Sequence, residues 1–362
     1  MRTLSYYFGA AALALAATMT SCSSQDNPIG GNGTIDEPTP GKIIIKELYF
    51  GGCTKGTTGT GKFINDSYVI LYNNGGTAIT ANNLALGMAI PANGEASNPS
   101  VVDGVLEYEN SGFTPAANGV WYFQAPLTIQ PYSQVVVNLR GAIDNTIANP
   151  ESVNFANADY YCTYDPTTIG PDDRAYNNTA YYPEPAAEIP TAHYLKAIKY
   201  GQGNAWALST TSPAFFIFET ENAVTDYCVD ANLWYPQTRA QTPVYACQKI
   251  ENKYILDGVE VYNKAKVSAS NKRLPAAIDA GYVEYTVETK FATGSTVYRN
   301  VDKEATESIK ANQGKLVYDY ALGNDPSGID AEASLKNGAQ IVYMDTDNST
   351  ADFHERDKAS IK

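Results

Sequence analysis

Two histidines in 362 residues, His193 and His354, leave little imidazole chemistry near neutral pH, and neither stands in HExxH spacing. No GxSxG elbow is present, so zinc-protease and α/β-hydrolase readings have no anchor, and both histidines are expected at the surface. Hydrolysis by a carboxylate pair stays open, because acids are plentiful but sequence spacing does not set their separation in space. The run from Gly56 to Lys62 (GTTGTGK) has the glycine and lysine spacing of a phosphate-binding loop. Phe63 stands where that loop needs a serine or threonine for magnesium, and a strand approaches where a helix should begin. A flexible hairpin loop is the reading that follows. Asp345, Asp347, Ser349 and Asp352 could offer oxygen ligands to calcium, a hard cation that takes six to eight of them. Thr350 replaces the turn glycine of the EF-hand, and Arg356 sits where its bidentate glutamate belongs. A solvated acidic turn is therefore expected, with calcium as the alternative and no other cofactor implied. Asp325, Asp330 and the pair Asp172-Asp173 are similar but less ordered.

Tyrosine is the compositional outlier, with 27 copies. Tyr160, Tyr161, Tyr164, Tyr176, Tyr181 and Tyr182 cluster among prolines and aspartates, where amphipathic rings give large contact area at low entropic cost. They could form a recognition surface for a glycan, a peptide or a partner transporter. They could equally plaster a long loop onto the body. Cys53, Cys162, Cys228 and Cys247 show neither CxxC nor histidine-interleaved spacing, which argues against zinc and leaves structural disulfides or free buried thiols. Of the three pairings, Cys228 with Cys247 closes the shorter loop and is mildly preferred.

The N-terminus carries an address. Met1 to Ser21 has Arg2, then a mostly apolar run from Leu4 to Ala17, then small polar residues. The run is too short to span a bilayer, so an export signal is expected. Met19-Thr20-Ser21-Cys22 resembles the bacterial lipoprotein box, with methionine where leucine is usual. That resemblance implies cleavage before Cys22 and acylation of its thiol, an anchor that needs no spanning helix. Residues 23–41, rich in Gly, Pro, Asp and Ser, read as a flexible tether in a 22–41 segment. Ser23-Ser24-Gln25-Asp26 is similar to the surface-export signals of Bacteroidetes lipoproteins. An outer-membrane lipoprotein facing the cell surface is expected, with the periplasmic face as the alternative.

The elements that must position these residues are short strands. Hydrophobic residues make up 44% and charged residues 18% of the chain, which excludes disorder and predicts a globular body over 42–362. A formal net charge of -14 disfavours nucleic acid and anionic lipid as partners. β-branched and aromatic runs bounded by turn formers predict strands at 43–50, 66–72, 120–123, 134–139, 214–219, 254–262, 283–287 and 340–344. Such strands suggest an all-β sandwich. One short helix is expected over Thr191–Tyr200, between Pro190 and Gly201 and with Lys196 and Lys199 in its last turns. It would sit in an insertion at 141–203, a long excursion from the framework, and a second excursion is expected over 91–118.

In this order the residues resemble the lamin-tail domain, an immunoglobulin-like β-sandwich. Ile44 to Leu48 is similar to its first strand and Asp66 to Asn73 to its second. Leu127 to Val137 is similar to the proline turn and strand that follow, and Ile255 to Glu260 to its Asp-containing strand. Gly294 to Arg299 resembles its arginine motif, and Asp345 to Phe353 its closing segment. The whole chain also resembles an uncharacterised family of Bacteroidetes lipoproteins with no assigned activity. Together these imply a lamin-tail-like sandwich with long loop insertions, lipid-anchored and non-enzymatic, that recognises a ligand or partner, as an auxiliary to an outer-membrane transporter for example. A fimbrillin-type structural or adhesion subunit and a carboxylate-based hydrolase are the alternatives.

Overall fold

The computed structural model describes residues 38–57, 59, 61–235, 246–288, 290–318, 322 and 325–362. The expected leader, Cys22 and the tether as far as residue 37 lie outside the described residues. Twelve strands form one large sheet: β1 (Ile43–Tyr49), β2 (Ser67–Asn73), β3 (Leu84–Met88), β4 (Val120–Tyr122), β5 (Gln134–Arg140), β6 (Tyr161–Thr163), β7 (Tyr194–Ile198), β8 (Ala214–Glu219), β9 (Ile255–Asn263), β10 (Val283–Tyr285), β11 (Thr296–Arg299) and β12 (Phe353–Arg356). The spatial order is β10-β9-β8-β3-β4-β7-β6-β5-β2-β1-β11-β12. Pairing is antiparallel except along β5-β6-β7 and between β9 and β10. Two facing sheets are the sequence-based expectation. Here the two runs are joined through β6 and β7, and the free edges β10 and β12 come into contact, so the sheet nearly closes into a barrel.

Alternation decides what fills it. Ile43, Ile45, Val69, Leu71, Leu86, Trp121, Val137, Leu195, Phe215, Ile217, Val259, Val261 and Val297 share one interior cluster. The outward residues between them are covered too. Ala85, Val120, Phe216 and Phe218 lie under Ile250 and Leu274, while Ile44, Tyr72 and Tyr298 lie under Ile329, Ile341 and Tyr343. Burial on both faces explains why β1, β2 and β8 read as almost unbroken apolar runs. Among the described residues, four short α-helices, Val224–Tyr227, Lys303–Ser308, Ala331–Lys336 and Ser349–Asp352, lie in connections. Asp302 and Asp330 cap the second and third of these by accepting the backbone N–H of Ala305 and Ala333, each at 3.0 Å.

The register gives the barrel two unlike ends. Residues 39–42 run beside the turn after β2, with Asn74 N donating to Lys42 O (2.8 Å) and Gly76 N to Thr39 O (2.9 Å). This is the end where the chain enters, here called the near end. The connections 74–83, 123–133, 220–254 and 300–352 leave from it. The opposite or far end is the origin of 50–66, 89–119, 141–160, 164–193, 199–213, 264–282 and 286–295.

Three expectations are corrected. The stretch Thr191–Tyr200 is a single 3-10 turn, Thr191–His193, followed by strand β7. Leu195 and Ala197 point inward while Lys196 and Ile198 stay half-exposed, a period of two set by pairing with β4 and β6. The 141–203 segment is therefore threaded into the sheet as β6 and β7. Residues 340–344 form an isolated bridge, Val301 with Tyr343, and serve as cover for the outer face of β1 and β2. Among the described residues no helix is long and apolar enough to cross a membrane.

Candidate functional site

In the near half, pieces far apart in sequence converge on Arg299. Its Nε donates to Ile45 O (2.6 Å), one terminal nitrogen donates to Met344 O (2.8 Å), and the other is bonded to Asp257. The guanidinium lies over the Phe353 ring, 4.3 Å from its centroid. Asp257 also accepts the Ile45 N–H at 2.6 Å, which ties β9 to β1, two strands that are not neighbours in the sheet. Both side chains are buried, so the pair can exist only because each charge is matched and hydrogen-bonded.

The proposed calcium carboxylates divide here. Asp345 faces Arg299 (3.5 Å) and pairs with Lys42, while Asp352 lies 3.7 Å from Arg299 and accepts Thr346 N and Oγ, each at 2.8 Å. Asp347 stands at solvent with a left-handed φ of 54°. Thus two of the three acids are brought together, around an arginine. Among the described residues no group of three or more His, Cys, Asp or Glu is placed to hold a metal ion.

At the far end the tyrosines act mainly as packing. Tyr176 stacks on Trp121 with centroids 5.2 Å apart, and Tyr182 lies 5.7 Å from the same indole. Both are buried, and the Tyr182 hydroxyl accepts the Trp206 N–H at 2.9 Å. Trp206 in turn donates its indole N–H to Ala117 O and Gly119 O at 3.2 Å, so the 164–193 and 199–213 connections plug the barrel interior. Tyr181 lies under the Arg140 guanidinium, whose N–H groups are spent on Ile64 O and Leu208 O. Tyr160, Tyr161, Tyr164 and Tyr181 are half-buried, with Tyr161 stacked on His193 at 4.1 Å. As a recognition surface the six fail at Tyr176 and Tyr182, whose rings belong to the core.

Other sequence motifs resolve simply. The glycine-rich stretch is a small hairpin, Cys53–Thr54 against Lys62–Phe63. Cys53, Cys162, Cys228 and Cys247 are free and buried, and the expected Cys228–Cys247 bridge is not formed. Cys228 packs in the outer cluster with Phe216 and Phe218, whereas Cys247 joins the interior one. His354 is buried, against expectation, and contacts Asn300 Oδ1 at 2.6 Å; burial, aided by Arg356, lowers its pKa to about 3. Sequence reasoning missed Lys46, which is fully buried beside Gln134 Oε1 and Glu332 Oε1, each 2.6 Å away. The rings of Tyr72, Tyr298 and Tyr343 surround its ammonium at 5.5–5.9 Å. A lone lysine in an apolar strand was the available signal.

What the far end leaves uncovered is apolar. Of seven exposed large hydrophobic residues among those described, five lie on far-end connections: Val102, Val105, Ile147, Ile169 and Phe291. Ile147 is 84% and Ile169 68% exposed, values that make them available for contact.

The fold defines a mostly β protein built on one wrapped sheet, with short helices confined to its connections. A family model described as protein of unknown function, DUF4876, matches residues 130–320, more than half of the chain, and the chain belongs to that family. The crystal structure of a DUF4876 family protein from Bacteroides thetaiotaomicron VPI-5482 is similar to it, with a TM-score of 0.59 at 18% identity. The likeness covers 88% of this chain and 72% of that one, and at such identity it speaks for the fold alone. The comparison with curated proteins finds no match. The resemblance to an uncharacterised Bacteroidetes family therefore holds in that coarse form.

Proposed function

We propose that this protein is a lipid-anchored cell-envelope protein, moored through Cys22 on the outer membrane and facing the cell surface, that recognises a ligand or partner without catalysis. The observation that carries this reading is the unlike ends of the barrel. Residues 39–42 enter at the near end, and seven connections with most of the exposed large apolar side chains leave from the far end. A body held by its near end presents the far end outward, and loops on a rigid scaffold are where binding residues concentrate. A lamin-tail-like relationship belongs to the same proposal. It is supported by the way Ile45, Asp257, Arg299, Asp345 and Phe353, from four of the resembling segments, meet in one cluster.

Two measurements test it in cells. Labelled palmitate should appear on the parent chain and not on Cys22→Ala. A photo-crosslinking residue at Ile147 or Ile169 should yield adducts that the same residue at Tyr318, exposed on a near-end connection, does not. Equal adducts at both ends, or none at either, would overturn recognition at the far end.

A further inference from the structure

A cleft of about 420 Å³ lies between the far-end connections 89–119 and 264–282. One wall is a tight hairpin, Val101–Val102 against Val105–Leu106, turned by Asp103 and Gly104 at φ of 51° and 81°. The other wall is Ser270, Asn271 and Lys272, with Tyr262 of β9 between them. Tyr262 is only 4% exposed and its ring stacks on Tyr282 at 4.2 Å, yet its hydroxyl makes no hydrogen bond among the described residues. The ring is buried while its hydroxyl stays open to solvent at the wall of the cleft, where a ligand can take the place of water.

The polar capacity left in the cleft is specific. Glu109 uses one carboxylate oxygen on Ala276 N (2.9 Å) and keeps the other. Asn271 donates to Ala96 O (3.4 Å) and keeps its amide oxygen, and Ser270 donates to Lys266 O (3.0 Å) and keeps its lone pairs. Lys272 is already spent on Asp279 O (2.7 Å), Gly281 O (2.6 Å) and Glu260 (2.8 Å). No uncommitted cation therefore draws an anion, and Glu109 repels one. Acceptors, a hydroxyl that both donates and accepts, and an apolar wall at Val105 match a molecule whose hydroxyls project around a C–H face. A peptide docking by strand addition would need a free strand edge, and the two-residue strands of the hairpin are too short to provide one.

We infer that this cleft is a binding site for a neutral saccharide of one or two rings, held by Tyr262, Asn271 and Glu109 with its ring face against Val105. The size falls within the range of small-ligand sites, about 300–1,000 Å³. The inference deepens the recognition reading and rests on it.

The test is calorimetric titration of the detergent-solubilised lipoprotein with maltose, cellobiose and N,N′-diacetylchitobiose, and with tetraglycine as a peptide probe. At least one saccharide should saturate. Tyr262→Phe, which keeps the ring and removes the hydroxyl, should weaken it about five- to tenfold, and Asn271→Ala comparably, with unchanged melting temperatures. No saturation by any saccharide, unchanged affinity in both variants, or saturation by tetraglycine alone would overturn the inference. Adducts at Ile147 and Ile169 that persist when the saccharides fail would sink the cleft alone, leaving far-end recognition standing.

Discussion

Two buried carboxylates, one in each half of the barrel, meet different company. Asp257 in the near half is bonded to the Arg299 guanidinium and accepts a backbone N–H of β1. Asp66 in the far half has only hydroxyls, from Ser152 (2.5 Å) and Tyr49 (3.1 Å), and its second oxygen has no partner among the described residues. The nearby Arg140 has given N–H groups to Ile64 and Leu208 carbonyls. Burial lifts both carboxyls from 3.8 to about 6, that of Asp257 against the pull of Arg299 and that of Asp66 against hydroxyl hydrogen bonds. Buried matched pairs stand in both halves, Arg299–Asp257 in the near and Arg273–Glu260 in the far, so the contrast lies between the two aspartates, one beside a cation and one held by hydroxyls.

That contrast can be broken most severely at Arg299. Arg299→Met leaves Asp257 buried without its cation and should cost about 3–5 kcal/mol in urea unfolding. A loss within measurement error would mean that the pair does not close the sheet. Asp66→Asn should act in the opposite sense. Because the folded carboxyl binds its proton more tightly than the unfolded one, the parent loses stability as pH rises from 3.8 to about 6 and stays lower above it. The asparagine variant should therefore be more stable than the parent near neutral pH, by about 1–3 kcal/mol, and the two should converge near pH 4. Melting curves across that range check it, and a constant offset would refute the assignment. Asp345→Asn touches a partly exposed partner of Lys42 and Arg299 and should cost at most about 1 kcal/mol. Smallest of all, Ile147→Ser with Ile169→Ser should change unfolding free energy by no more than about 0.5 kcal/mol, since both are exposed, while removing far-end crosslinks.

Much of the sheet was legible because burial on both faces leaves a plain signal. Ala214–Glu219 was read to the residue, and β1, β2, β4, β5 and β9 to within one or two at each end. β6 and β7 were not, because tyrosines, prolines and aspartates around them imitate a surface loop, and Pro190, Gly201 and the terminal lysines imitate helix punctuation. Propensity lost there to pairing with β4 and β5. Ile341 and Tyr343 were rightly read as apolar but wrongly given a strand, since covering a sheet and extending it demand the same residue types. Of the candidate site, Asp257 and Arg299 were visible only through resemblance. Their meeting depends on a contact over 42 residues that no local pattern records. The cleft at Tyr262 was invisible, because nothing in the sequence announces a phenol left without a partner.

The first strand draws one of its two neighbours, and several of its side-chain partners, from late in the chain. β1 lies beside β11, Ile45 is held by Asp257 and Arg299, and Glu47 receives Ser360 N at 3.0 Å, a contact spanning 313 residues. During synthesis, Tyr68 and Gln134 follow β1 early enough to bond its glutamate and lysine, but Asp257, Arg299, Glu332 and Ser360 emerge hundreds of residues later. The final closure around β1 must therefore wait for the end of the chain.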